Sequence, residues 1–125
     1  MFFFRNITKS LLPGRKEVDF RRIAKKALGK NYQLSIVFCG NTLSKKLNAK
    51  YRGKNEATNI LSFPLEKKCG EIFLNLNRAK LESKRVKIKG GDYACFLFAH
   101  GVAHLAGYTH GEKMDAFQKH ILKKG

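Results

Sequence analysis

A chain of 125 residues lies in the size range of one domain and can bury a core without disulfide staples. Its 43% hydrophobic and 28% charged residues exclude a disordered chain, which would hold less Phe, Leu and Ile at such charge. The 26 Lys and Arg against 9 Asp and Glu leave a net charge of +17, which repels itself unless a polyanion neutralises it, and nucleic acid is the leading partner. A merely solubilising surface would carry the same charge, so composition specifies no activity.

Cys39, Cys69 and Cys95 form no C-x-x-C pair, which argues against a disulfide framework and a thiolate zinc site alike. Met1 to Phe4 is apolar, but Arg5 follows at once and leaves no h-region of signal-peptide length, so a reducing, cytoplasmic setting is expected. The longest apolar window, Tyr93 to Ala99, falls far short of the roughly 20 residues a membrane span requires. Pro13 and Pro64 punctuate short segments and mark no linker, so residues 1–125 read as a single domain.

In chain order, Phe2 to Ile7 reads as a strand. Val18 to Leu28 follows as a helix with Phe20, Ile23, Ala24 and Ala27 on one face and Arg21, Arg22, Lys25 and Lys26 on the other. Leu34 to Cys39 has the β-branched and aromatic content of a strand, ended by Gly40-Asn41. Thr42 to Arg52 fits a helix capped by Asn41 or Thr42 and closed by Gly53. Asn59 to Leu65 and Glu71 to Leu76 read as strands joined by a Lys67-Lys68-Cys69-Gly70 turn, a hairpin. Asn77 to Lys84 is a short helix. Asp92 to about Ala106 forms an almost wholly apolar helix with Asp92 as its cap, buried on most sides, and Glu112 to Lys123 finishes the chain as a helix. Helices flanking a small mixed sheet make the class α+β.

His100 and His104 stand four residues apart, so on a helix their imidazoles project from one face and can reach one ion. Gly107 can take a left-handed conformation and swing the chain back, letting His110 approach the same point from a loop. Three imidazoles fill three corners of a tetrahedron and leave the fourth for water, as catalytic zinc sites do, and zinc brings the pKa of that water to about 7. Hydrogen-bonded core histidines are the alternative, but three of the chain's four histidines fall at ligand spacing. His120, in a basic amphipathic segment, is the spare and is expected to be exposed. The pattern H-x-x-x-H-x-x-G-x-x-H also occurs in metzincin proteases, whose first histidine is followed by a general-base glutamate. Gly101 stands there instead, so a zincin-like metal geometry is expected without the peptidase's proton acceptor.

The run His100-Gly101-Val102-Ala103-His104-Leu105-Ala106-Gly107-Tyr108-Thr109-His110 resembles the H-G-x-x-H-L-x-G-Y-D-H signature of the YbeY family. Leu47-Asn48-Ala49-Lys50-Tyr51-Arg52-Gly53 and Thr58-Asn59-Ile60-Leu61-Ser62-Phe63-Pro64 are similar to its L-N-x-x-Y-R and T-D-V-L-S-F-P segments, and Gly70-Glu71-Ile72 to its G-D-I. The resemblance implies a zinc-dependent endoribonuclease acting on single-stranded RNA in ribosomal RNA maturation, at the 3' end of the small-subunit RNA. It implies one zinc per chain held by His100, His104 and His110, and RNA or the small ribosomal subunit as partner. It also implies that Arg52 is the catalytic residue opposite the metal, where its planar fork would hold a phosphate. On the residues alone, Arg52 reads equally as a cation meeting a helix end.

Thr109 and Asn59 replace aspartates of the family pattern. Lost outer-shell carboxylates of this kind are expected to weaken metal affinity or activity by about 10- to 100-fold. The basic run from Arg78 to Lys89 reads as a solvated face or as an RNA track, and Tyr51, Tyr93 and Tyr108 as packing residues or base-stacking platforms. Two further functions remain open at this point. One is a non-catalytic, zinc-containing RNA-binding or ribosome assembly factor; the other is a metallopeptidase that takes Glu71 or Glu112 as its base.

Overall fold

The computed structural model describes residues 1–8 and 17–124; Pro13 therefore lies outside the described residues. The elements in order are β1 (Phe2–Asn6), α1 (Glu17–Leu28), β2 (Gln33–Cys39), α2 (Asn41–Arg52), β3 (Ile60–Glu66), β4 (Cys69–Asn75), α3 (Leu76–Arg85), α4 (Gly90–Leu105) and α5 (Glu112–Leu122). The strands form one sheet in the order β1-β2-β4-β3, with β1, β2 and β4 parallel and β3 antiparallel to β4. The class is α+β with a mixed sheet, as expected.

Period-two alternation decides what each sheet face buries. Leu34, Ile36 and Phe38 of β2, Ile72 and Leu74 of β4, and Ile60 of β3 share one face and join the core with Phe20, Ile23 and Phe98. Phe20 sits between Phe38 and Phe98, its ring centroid 5.8 Å and 4.7 Å from theirs. On the opposite face the Tyr51 ring of α2 lies 5.1 Å from Phe63, which meets Phe73 edge-on at 5.8 Å. Cys39 and Cys95 are buried and all three cysteines are free thiols; burial pushes the Cys39 thiol up to about 11.

Helix α4 lies across β3 and β4, with α1, α3 and α5 packed around it. Ala94, Leu97, Phe98, Ala99, Val102 and Ala103 are buried, whereas Phe96 is 48% exposed. Gly101 permits the close approach to the sheet. A Cβ there would fall 2.7 Å from Ile60 Cδ1 and 2.9 Å from Ser62 Oγ, distances that real contacts do not reach. Among the described residues, no helix is long and apolar enough to cross a membrane.

Four local expectations are corrected. Helix α2 begins at Asn41 with Gly40 as its cap and no side-chain cap bond; Asn41 Oδ1 instead accepts from Asn75 Nδ2 at 2.9 Å. The cap of α4 is Lys89, and Asp92 lies in the first turn, where its charge still favours the helix dipole. The β3–β4 turn shrinks to Lys67-Lys68, because Cys69 already pairs with Glu66. Leu76 opens α3 rather than ending β4, since the Asn75 side chain accepts from the Asn77 and Arg78 amides and starts the helix there.

Candidate metal centre

The histidine pair is a product of helix geometry. One turn of α4 separates His100 from His104, and their Nε2 atoms come to 3.1 Å from each other. The helix then ends at the Ala106 cap, and Gly107 at φ +101° turns the chain back, a conformation that costs glycine little. His110 arrives from this loop, with ring centroids 5.3 Å from His100 and 5.2 Å from His104. One ligand atom from each of the three lies within 4.8 Å of the others. His100 and His104 are half-buried and His110 is exposed, leaving one side of the group open to solvent. His120 is exposed on α5, and the group contains His110 rather than it.

The remaining ring nitrogens show which tautomer the fold supports. His104 Nδ1 stands 3.2 Å from the Tyr108 carbonyl oxygen, an atom that can only accept, so Nδ1 donates and the Nε2 lone pair is free. His100 Nδ1 likewise donates to Gln118 Oε1 at 3.2 Å. Two acceptor nitrogens then face each other at 3.1 Å, an arrangement that repels without a cation. Two nitrogens bound tetrahedrally to one zinc at its usual bond length stand about 3.3 Å apart, so the pair fits such an ion closely. Desolvation and then the neighbouring His100 hold His104 below its usual pKa; the Tyr108 carbonyl opposes them, and His110 and the Arg52 cation add smaller lowering effects. The neutral, ligating form is the one favoured.

A cavity of about 360 Å³ lies against the three rings, lined also by Arg52, Thr58, Asn59, Ile60 and Ser62. Arg52 is the last residue of α2, and Gly53 at φ +68° ends the helix behind it. Ser62 Oγ donates to the Gly101 carbonyl at 3.1 Å and ties α4 to β3 beneath the histidines. Neither Glu71 nor Glu112 lines this cavity, and its described lining contains no carboxylate. Ile60 and Ser62 leave no room for a glutamate at the metzincin position, and with neither Glu71 nor Glu112 lining the cavity the peptidase reading has no base there.

Gln118 went unnoticed in the sequence. The signal was present, because Met114, Gln118 and Ile121 form the buried stripe of α5 and one member is an amide. The two substituted aspartates also look different in three dimensions. The outer partners of His100 and His104 come from Gln118 and Tyr108 rather than from residue 109. Asn59 Nδ2 donates to Glu82 Oε1 at 2.9 Å, so a carboxylate stands one hydrogen bond behind the site. Tyr93 donates to the same Glu82 oxygen at 2.8 Å, and burial, helped by that bond and charge, pushes its phenol up to about 12.

A family model described as endoribonuclease YbeY matches residues 14–124. The endoribonuclease YbeY of Ehrlichia ruminantium (strain Welgevonden) is 38% identical over 117 residues, which span 90% of this chain and 68% of the relative. That of Clostridioides difficile (strain 630) is 29% identical over 134 residues, 94% of this chain and 88% of the relative. A solution structure from Thermotoga maritima shares the fold with a TM-score of 0.69 at 24% identity, covering 98% of this chain and 87% of the other. With its matched length, its mixed sheet and its histidine helix, this chain belongs to the endoribonuclease YbeY family.

Proposed function

We propose that residues 1–125 act as one domain, a zinc-dependent endoribonuclease that cleaves single-stranded RNA in the cytoplasm during maturation of ribosomal RNA, at the 3' end of the small-subunit RNA. The observation that carries the reading is the convergence of three imidazoles, two with free Nε2 lone pairs, on a cavity that holds an arginine and no carboxylate. His100, His104 and His110 would hold one zinc ion. Bound zinc supplies Lewis acidity, polarising a phosphoryl oxygen and making water acidic enough to ionise near neutral pH.

The chain's own residues do the rest. Gln118 and the Tyr108 carbonyl hold two rings in the ligating tautomer, and Ser62 holds α4 on the sheet. The Arg52 guanidinium, always charged, grips a phosphate bidentately and offsets the charge that builds on it in the transition state. The net charge of +17 draws RNA to the surface, and the small ribosomal subunit is the partner that would present it. The test is to measure metal stoichiometry and then cleavage of a ribosomal RNA precursor with and without chelator. Cleavage should require the metal, and undiminished cleavage by a His100→Ala, His104→Ala protein would sink the proposal.

A further inference from the structure

A second cavity, about 550 Å³, adjoins the histidine cavity, and Asn59, Ile60 and His100 line both. It runs between one face of α4, including Tyr93 and Phe96, and one face of α5, including Gln118 and Lys119. Its volume falls among those that enclose small organic ligands. Phe96 is the exposed large apolar residue of a helix whose other apolar residues are mostly buried, and it is 48% exposed. It stacks on Tyr93 at 6.1 Å between centroids with the planes 26° apart, and the Tyr93 hydroxyl is anchored on Glu82. One aromatic is thus held in place and presents the other to the groove. Tyr108 differs, its ring stacked on Phe117 at 4.3 Å, and Tyr51, although 58% exposed, packs against Phe63 on the opposite face of the sheet, away from this groove.

We propose that this groove is a nucleobase subsite, which seats the base of the nucleotide next to the scissile phosphate on the exposed face of Phe96. The inference rests on the RNA reading above and deepens it. A flat π-face accepts any base, the Ile60, Leu97 and Leu122 side chains favour expulsion of water, and on the facing wall, which carries Asp115 as well as Lys119, the lysine meets the phosphate that follows. Because His100 belongs to both cavities, a base seated here leaves its own backbone beside the metal-binding rings. Phe96 thereby becomes a positioning residue: stacking fixes which phosphodiester reaches Arg52 and the histidines.

The experiment compares two labelled oligomers of equal length, a single-stranded oligoribonucleotide and its abasic ribose-phosphate counterpart. Each is bound to the full-length, metal-loaded protein for an interval over which gels show no cleavage. Stacking of one base predicts that the intact oligomer binds about 5- to 150-fold more tightly than the abasic one. Phe96→Ala should collapse that ratio toward unity while Phe96→Trp keeps it, and Lys119→Ala should weaken both oligomers alike. Phe96 is half-exposed, so thermal unfolding of the variants should match the parent. Equal binding of the two oligomers by the parent protein, or a ratio that survives Phe96→Ala, overturns the subsite and leaves the RNA reading standing. Binding of neither oligomer overturns both.

Discussion

Replacing Gln118 with Leu probes how the metal centre is built without touching a ligand. The side chain is buried, and its Oε1 accepts the His100 Nδ1 proton at 3.2 Å. Leucine has similar volume but no acceptor, so the ring loses the bond that holds its tautomer and orientation. Loss of an outer partner of this kind weakens metal affinity about 10- to 100-fold, which corresponds to about 1.4 to 2.7 kcal/mol. Stability of the metal-free protein should change by less than this, at most about 1 kcal/mol, because the one modest hydrogen bond lost is partly offset by apolar packing. Gln118→Glu should retain or strengthen binding, since a carboxylate accepts the same proton and raises the basicity of the ring. Competition with a chromophoric chelator at fixed neutral pH measures the affinities, and urea unfolding of the chelated proteins measures stability. Zinc binding by Gln118→Leu as tight as the parent's would refute the outer-partner argument. So would a loss of affinity matched by an equal loss of stability.

Arg52→Ala should lower kcat by about 100- to 1,000-fold, the cost of removing one transition-state donor, while zinc stoichiometry stays that of the parent; single-turnover cleavage and metal analysis separate the two. Gly101→Glu restores the metzincin glutamate but drives a side chain into Ile60 and Ser62. Overpacking of about 1–3 kcal/mol should lower Tm by roughly 5 °C or more, and no peptidase activity should appear in a casein assay. The Tyr93 phenol is raised from 10.0 to about 12, so the folded state holds its proton where the unfolded state has lost it. Its contribution to stability is complete below pH 10.0 and is lost as pH rises through about 12, so Tyr93→Phe should show a shallower fall in urea-unfolding stability across that window.

Several features needed nothing beyond the chain. The helix period places His100 and His104 on one face wherever α4 lies, and Gly107 permits the turn that returns His110. Alternation in β4 separates core from surface by a local rule, as do the apolar stripe of α1 and the glycine that ends α2, whereas β2 is buried on both faces from Ile36 to Cys39. Helix and strand edges were less legible, because side chains compete for them across space. Asn41 serves Asn75 rather than its own helix, and Asn75 begins α3 at a leucine that otherwise continues an apolar strand.

Only the tertiary structure brought Arg52, Thr58 and Ser62 to the histidines and set Gln118 behind His100. These residues lie on separate elements, and no periodicity relates one element to another; their meeting depends on how closely α4 can approach the sheet. Gly101 sets that approach, and its steric meaning is visible only once Ile60 and Ser62 stand against it. Local spacing therefore determined which nitrogens can share an ion, while packing decided what surrounds them, because burial and contact are properties of the assembled core rather than of any segment.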